Sequence, residues 1–326
     1  MAATGRRRAQ GAGNAGSRGA AMTAPARTLT AAERPAMGLR GTLAAYFALT
    51  KPRIIELLLV TTFPAMVVAA DGLPDLWVVL ATLFGGSLAA GGANTINCYL
   101  DRDIDAVMRR THRRPIPSGA ISPERALAFG VFLSVAAFLF LAVTVNLLTA
   151  VLAVAAILFY VFVYTLWLKR TTAENIVIGG AAGAVPPLCG WAAVTGSLDA
   201  APLIMFAIIF LWTPPHFWAL AIGYAQDYER AGVPMLPVTH GAVEARRRSF
   251  VYAAVTVAAS LALGLTGDLG VLFLAAAAAA GAMFLWLSWR QLRLATVKSA
   301  MDVFRFSTTY LAIIFAAMVA DRLAPI

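Results

Sequence analysis

Apolar positions along this chain come in long runs, interrupted by short polar stretches. The runs lie near 54–70, 76–98, 123–144, 147–167, 175–195, 201–221, 249–266, 269–288 and 306–321. Each is long enough to cross about 30 Å of hydrocarbon as a helix. The pattern predicts an all-α, multi-pass membrane protein, a bundle of about nine transmembrane helices. "VLFLAAAAAA" at 271–280 is weakly hydrophobic and makes the eighth span the least secure of the nine.

The polar stretches alternate in charge. Those at 99–122, 168–174, 222–248 and 289–305 carry the cations, from Arg102 to Arg305. The others, "DGLPD", "VNLLT", "TGSLDAAP" and "TGDLG", hold neither Lys nor Arg. Cationic loops stay cytoplasmic, so the N-terminus is placed in the cytoplasm and, with an odd number of spans, the C-terminus outside. Glycine-rich interiors, "GGSLAAGGANT" at 85–95 and "GGAAGAVPPLCGW" at 179–191, fit close helix packing. Pro186 and Pro187 predict a kink or an end in the fifth span.

Composition agrees with this picture. The chain is 60% hydrophobic and 13% charged, where a soluble domain is about a quarter charged. A net charge of +10 would suggest nucleic acid in a soluble protein. Here the cytoplasmic loops account for it, and no nucleic-acid partner is expected. Cys98 and Cys189 sit in apolar context without a CxxC pattern and read as core residues. Residues 1–40, rich in Ala, Gly and Arg, read as a disordered cytoplasmic tail. They lack the apolar centre of a secretory signal; a transit peptide is the alternative, and Met22 is an alternative start. Residues 41–326 form the membrane domain.

The chemistry concentrates at the end of the second span, "NTINCYLDRDIDAVMRRTHRRPIPSG". If that helix runs on past the hydrocarbon, Asn94, Asn97, Asp101 and Asp105 share one face, at spacings of three, four and four. Asp103 points elsewhere and reads as solvated or structural. Carboxylates four residues apart repel each other, so something compensates them. Adjacent arginines forming a surface ion-pair network would suffice. A divalent cation is the sharper reading, because Mg²⁺ is bound by one or two carboxylates together with substrate phosphates, leaving arginines for the phosphate oxygens. A second polar cluster, Tyr224, Asp227, Glu229 and Arg230, follows the sixth span on the same predicted side.

These segments resemble the intramembrane prenyltransferases. Asn97, Asp101 and Asp105 match that family's first motif, N-x-x-x-D-x-x-x-D. "LTKPRI", "WLKRTTAENIVIGGAAGAVPPLCGW", "WTPPHFWALAI" and "YAQDYERAGVPMLPV" extend the likeness over most of 45–320. Asp227 is followed four residues later by Ala231, so a second aspartate pair is incomplete. That departure points away from quinone-type members and towards a haem-directed branch.

The resemblance implies transfer of a farnesyl group from farnesyl diphosphate to a vinyl group of haem B, with Mg²⁺ as cofactor and haem as substrate. It implies Asn97, Asp101, Asp105 and Asp227 as metal ligands, and Tyr224 beside them in catalysis. Lys51, Arg53, Arg110, Arg114, Lys169 and Arg170 become diphosphate or propionate contacts, and Asn94 and His216 substrate-binding residues. Tyr99, Phe217, Trp218 and Tyr224 could face the allylic cation or belong to the interfacial aromatic belt. Of the other histidines, His112 lies in the catalytic loop and His240 reads as solvated. A haem A synthase or oxidase-assembly factor is the implied protein partner, and the plasma membrane the location, with the mitochondrial inner membrane as alternative.

Two other classes compete. A transporter also carries intramembrane acids, but nearer the midplane and without neighbouring arginines. A related prenyltransferase acting on a quinone precursor differs only in its acceptor.

Overall fold

The computed structural model describes residues 38–324, so most of the expected tail lies outside the described residues. A short helix, α1 (Leu39–Leu49), precedes the first span; the run pattern did not mark it. Lys51 then takes a left-handed backbone (φ 54°) and Pro52 opens α2 (Pro52–Ala69) at its first turn. Proline suits that position because its missing N–H would be unpaired there anyway.

The remaining long helices are α3 (Leu76–Leu100), α5 (Pro123–Thr144), α6 (Leu147–Thr171), α7 (Asn175–Thr195), α8 (Ala200–Gly223), α11 (Gly241–Leu263), α12 (Val271–Leu294) and α13 (Val297–Leu323). Three short helices, α4 (Arg102–Val107), α9 (Ala225–Arg230) and α10 (Leu236–Thr239), lie in the loops after α3 and α8. Among the described residues the expected nine long helices are therefore present, and eight of them are long and apolar enough to cross a membrane. The exception is α11, which starts at Gly241 and spends its first turns on Glu244, Arg246, Arg247 and Arg248. The eighth run, expected as the least secure span, meets the test as α12.

Pro186 and Pro187 do interrupt α7, whose regular helix breaks at Val185. Close packing by glycine is seen where α3 crosses α5: a Cβ on Gly92 would stand 2.9 Å from the carbonyl oxygen of Gly130. Side-chain contacts separate the loops onto two faces. On one, Arg248 bonds Glu174 at 2.7 Å and Arg246 donates to the carbonyl of Ala295 at 2.9 Å. On the other, Arg322 pairs with Asp71 at 2.7 Å, and Asn146 donates to the carbonyl of Ala192 at 2.8 Å. This sorting agrees with the alternation of cationic and cation-free loops.

The main core joins α8, α11, α12 and α13 through Met205, Ile208, Val257, Phe273, Phe284, Tyr310 and Phe315, and a second joins α3, α5 and α6 through Ala93, Leu141 and Ile157.

Candidate active site

The end of α3 positions the carboxylates. The helix bends at Asp101, where α4 takes over, yet the ladder holds across the joint: the amide of Asp101 donates to Asn97 at 2.9 Å and that of Asp105 to Asp101 at 2.7 Å. Four-residue spacing is thereby kept, and Asn97, Asp101 and Asp105 all line one cavity of about 430 Å³.

Both aspartates are deeply buried, Asp101 at 0% and Asp105 at 2% exposure. Asp105 accepts a two-pronged bond from the Arg114 guanidinium at 2.8 and 2.9 Å. One oxygen of Asp101 accepts from Asn97 Nδ2 at 2.8 Å and from the Lys169 ammonium. Its other oxygen, Oδ1, is buried with no hydrogen-bond partner. Lys51 Nζ reaches Asn97 Oδ1 at 2.5 Å; the left-handed turn at Lys51 sets its side chain against α3. Arg53 and Arg110 line the same cavity, and Arg110 approaches the Tyr228 hydroxyl at 3.5 Å. Five cationic side chains thus face two carboxylates, an excess of three positive charges.

Nine of the thirteen expected site residues meet here: Lys51, Arg53, Asn97, Asp101, Asp105, Arg110, Arg114, Lys169 and His216. Asn94 belongs instead to an adjoining apolar pocket of about 170 Å³, and donates to the Thr50 carbonyl at 3.0 Å. Arg170 is drawn off to Asp103, holding it with two 2.8 Å bonds. That exposed carboxyl consequently sits at about 2, below its ordinary 3.8, chiefly through the Arg170 hydrogen bonds. Asp227 is buried but lies outside the cavity lining, 3.6 Å from Arg230. Tyr224 also lies outside it, with Arg110 over its ring at 5.8 Å. Among the described residues no three His, Cys, Asp or Glu side chains come together.

His112 and His240 are exposed and bond locally to Arg109 and Thr239. Of the aromatic candidates, Phe217 lines the cavity, Trp218 is fully buried away from it, and Tyr99 carries Arg102 over its ring at 4.5 Å. Cys98 and Cys189 are free; Cys98 is buried and Cys189 lines the apolar pocket.

Sequence reasoning missed Tyr160, Tyr164 and Tyr228, which line the cavity. Residues Phe159–Leu168 of α6 form a π-helix. Nine residues of ideal α-helix make two and a half turns, which would put Tyr160 and Lys169 on opposite sides. The wider π turn brings Tyr160, Tyr164 and Lys169 to one wall, with the two rings stacked at 5.5 Å. Thr165 closes the device, donating back to the Tyr160 carbonyl at 2.8 Å and accepting from Asn97 at 3.0 Å. Gly179 makes the room: a Cβ there would stand 2.1 Å from the Tyr164 ring.

The UbiA prenyltransferase family model matches residues 58–313. Protoheme IX farnesyltransferase 1 of Saccharopolyspora erythraea is 52% identical over 301 residues, covering 91% of this chain and 96% of that one. The chain spans about half the length of two further relatives, from Roseiflexus sp. and Chloroflexus aurantiacus. Among solved structures, one of a digeranylgeranylglyceryl phosphate synthase superposes with a TM-score of 0.73 at 19% identity, covering 86% of this chain and 99% of that one. A UbiA homologue from Archaeoglobus fulgidus bound to GPP and Mg²⁺ gives a TM-score of 0.61 at 16% identity, covering 84% and 99%.

Proposed function

Because this chain belongs to the UbiA prenyltransferase family, we infer that it transfers the farnesyl group of farnesyl diphosphate to a vinyl group of protohaem IX (haem B), giving haem O. It is a prenyltransferase with many membrane-crossing helices. The C1–O bond of farnesyl diphosphate breaks, the vinyl carbon bonds C1, water supplies a hydroxyl to the neighbouring carbon, and diphosphate and a proton leave.

The observation that carries this reading is the charge-dense end of the cavity, where five cations surround two buried carboxylates next to apolar space. A departing diphosphate develops negative charge that prepositioned cations stabilise without reorganising. Lys51, Arg53 and Arg110 pair with no carboxylate among the described residues, so their charge is available to the phosphate oxygens. Lys169 and Arg114 hold Asp101 and Asp105 in place.

The donor set also fits Mg²⁺. Asp101 has a buried oxygen without a hydrogen bond, Asp105 lies one helical turn on, and Asn97 has a neutral oxygen, which Lys51 would release on turning to the phosphate. Two carboxylates plus substrate phosphates are what this ion takes, and bound there it would neutralise leaving-group charge. Asp227 is the remaining candidate ligand, and Tyr224 stays beside it. The apolar pocket, which shares Ile54, Leu58, Tyr160 and Gly183 with the cavity, offers hydrocarbon surface to the isoprenoid. We place the protein in the plasma membrane with a cytoplasmic N-terminus, supplying haem O to an oxidase or a haem A synthase.

The test is turnover. Purified protein given farnesyl diphosphate, haem B and Mg²⁺ should yield haem O by chromatography. A prenylated 4-hydroxybenzoate without haem O would move the assignment to another acceptor, and no diphosphate release with any acceptor would favour transport.

A further inference from the structure

His216 stands apart from the charged cluster, in the wall of the same cavity. It lies on α8 seven residues short of Gly223, about 10 Å of helical rise from that end. Its ring is 8% exposed and held between aromatic faces, with Trp212 at 4.3 Å and Phe304 at 4.6 Å between centroids. The ring plane is therefore fixed by packing.

Its hydrogen bonding favours one tautomer as well. Nδ1 lies 2.7 Å from the Ser307 hydroxyl oxygen. A serine has one hydroxyl hydrogen, and Ser307 donates it to the Phe304 carbonyl at 2.7 Å. With that hydrogen on the Phe304 carbonyl, the hydroxyl oxygen accepts from His216; in that arrangement Nδ1 carries the proton and Nε2 keeps a lone pair. Ser307 is itself anchored, since its carbonyl accepts the Trp212 indole N–H at 2.7 Å and its side chain is fully buried. Among the described residues Nε2 has no hydrogen-bond partner, and the residue lines the cavity.

A purely structural buried histidine satisfies both nitrogens. A general base would become charged between two aromatic faces with no carboxylate bonded to the ring, a costly state. A neutral imidazole, one nitrogen tied to a hydrogen-bond acceptor and the other presented to a cavity, is how histidine binds transition metals. Imidazole suits iron, whereas Mg²⁺ selects oxygen.

We propose that His216 Nε2 ligates the iron of the haem substrate, and that Ser307 is the residue that positions it. This rests on the haem-acceptor reading above. Ligation would hold the macrocycle on the wall formed by α8 and α13, leaving the opposite side of the cavity to the isoprenoid and its diphosphate.

The experiment needs no turnover. Ferric haem B is titrated into purified full-length protein in detergent, without farnesyl diphosphate, and followed by absorption and electron paramagnetic resonance. Wild type should show an imidazole-ligated iron signature. His216→Ala should lose it and regain it on adding free imidazole, while His112→Ala and His240→Ala retain it. Ser307→Ala should weaken haem affinity about tenfold, as loss of a ligand's hydrogen-bond partner does, and Ser307→Thr should restore it. A wild type that forms haem O with no imidazole signature overturns the proposal and leaves the acceptor reading intact, as does an unchanged His216→Ala spectrum. A wild type that neither binds haem nor forms haem O overturns both.

Discussion

At the scale of residues, the three aspartates of one short stretch have three different environments. Asp101 keeps a buried oxygen without a hydrogen bond, Asp105 is gripped by Arg114, and Asp103 stands at the surface with its side chain 61% exposed. Asp101→Ala and Asp105→Ala should each lower haem O formation by about a hundredfold or more, the scale of losing a preorganised electrostatic group, while membrane insertion persists. Near-normal rates in both variants would remove the metal reading. Asp103→Asn should stay within about threefold of wild type, because an exposed ion pair contributes little. The Asp103–Arg170 pair does have a pH signature. A carboxyl whose folded value is depressed stabilises the fold above its ordinary value and loses that contribution as pH falls through the folded one. Any Tm difference between wild type and Asp103→Asn should therefore be seen near neutral pH and vanish between 3.8 and about 2.

At the scale of elements, α6 does the most to assemble the site. Its π-helical register is what carries Lys169 onto the wall that Asp101 occupies. Deleting Val163 would let this stretch relax towards α-helix and rotate Lys169 by about a quarter turn or more, about 100° per residue. Turnover should fall sharply although the chain still reaches the membrane; unchanged turnover would show that the register does not matter. Gly179 on α7 tests the same wall from behind. Gly179→Ala forces Tyr164 out of place and should destabilise by about 1–3 kcal/mol, as overpacking does, with lower turnover. Adding Tyr164→Leu should recover the Tm, which differential scanning fluorimetry would read.

At the scale of the whole molecule, all the site's charge gathers at the face that holds the cationic loops, and the apolar pocket extends from it into the bundle. Nine membrane crossings would place the two termini on opposite sides. A reporter fused after Ile326 should read as external and one at the N-terminus as cytoplasmic; a cytoplasmic signal at both would break the topology. α11 decides the count, since its first turns carry three consecutive arginines and only the remainder is apolar.

Much of this was legible from residues alone. Long apolar runs have one stable form in hydrocarbon, because every backbone polar group must bond within its own helix; the nine helices follow, and the loop cations orient them. The four-residue spacing of Asn97, Asp101 and Asp105 survived a break in the helix because one-turn hydrogen bonds crossed it. What the sequence could not supply depended on register and reach between helices distant along the chain. Arg170 and Lys169 are neighbours, yet one turns out to Asp103 and the other in to Asp101. Tyr228 enters the cavity where Tyr224 and Asp227 do not. The partner of His216 Nδ1 is a serine on another helix. Hydrophobic periodicity records which residues leave water, and local spacing records which share a turn. The partner each side chain meets is set only when the helices pack.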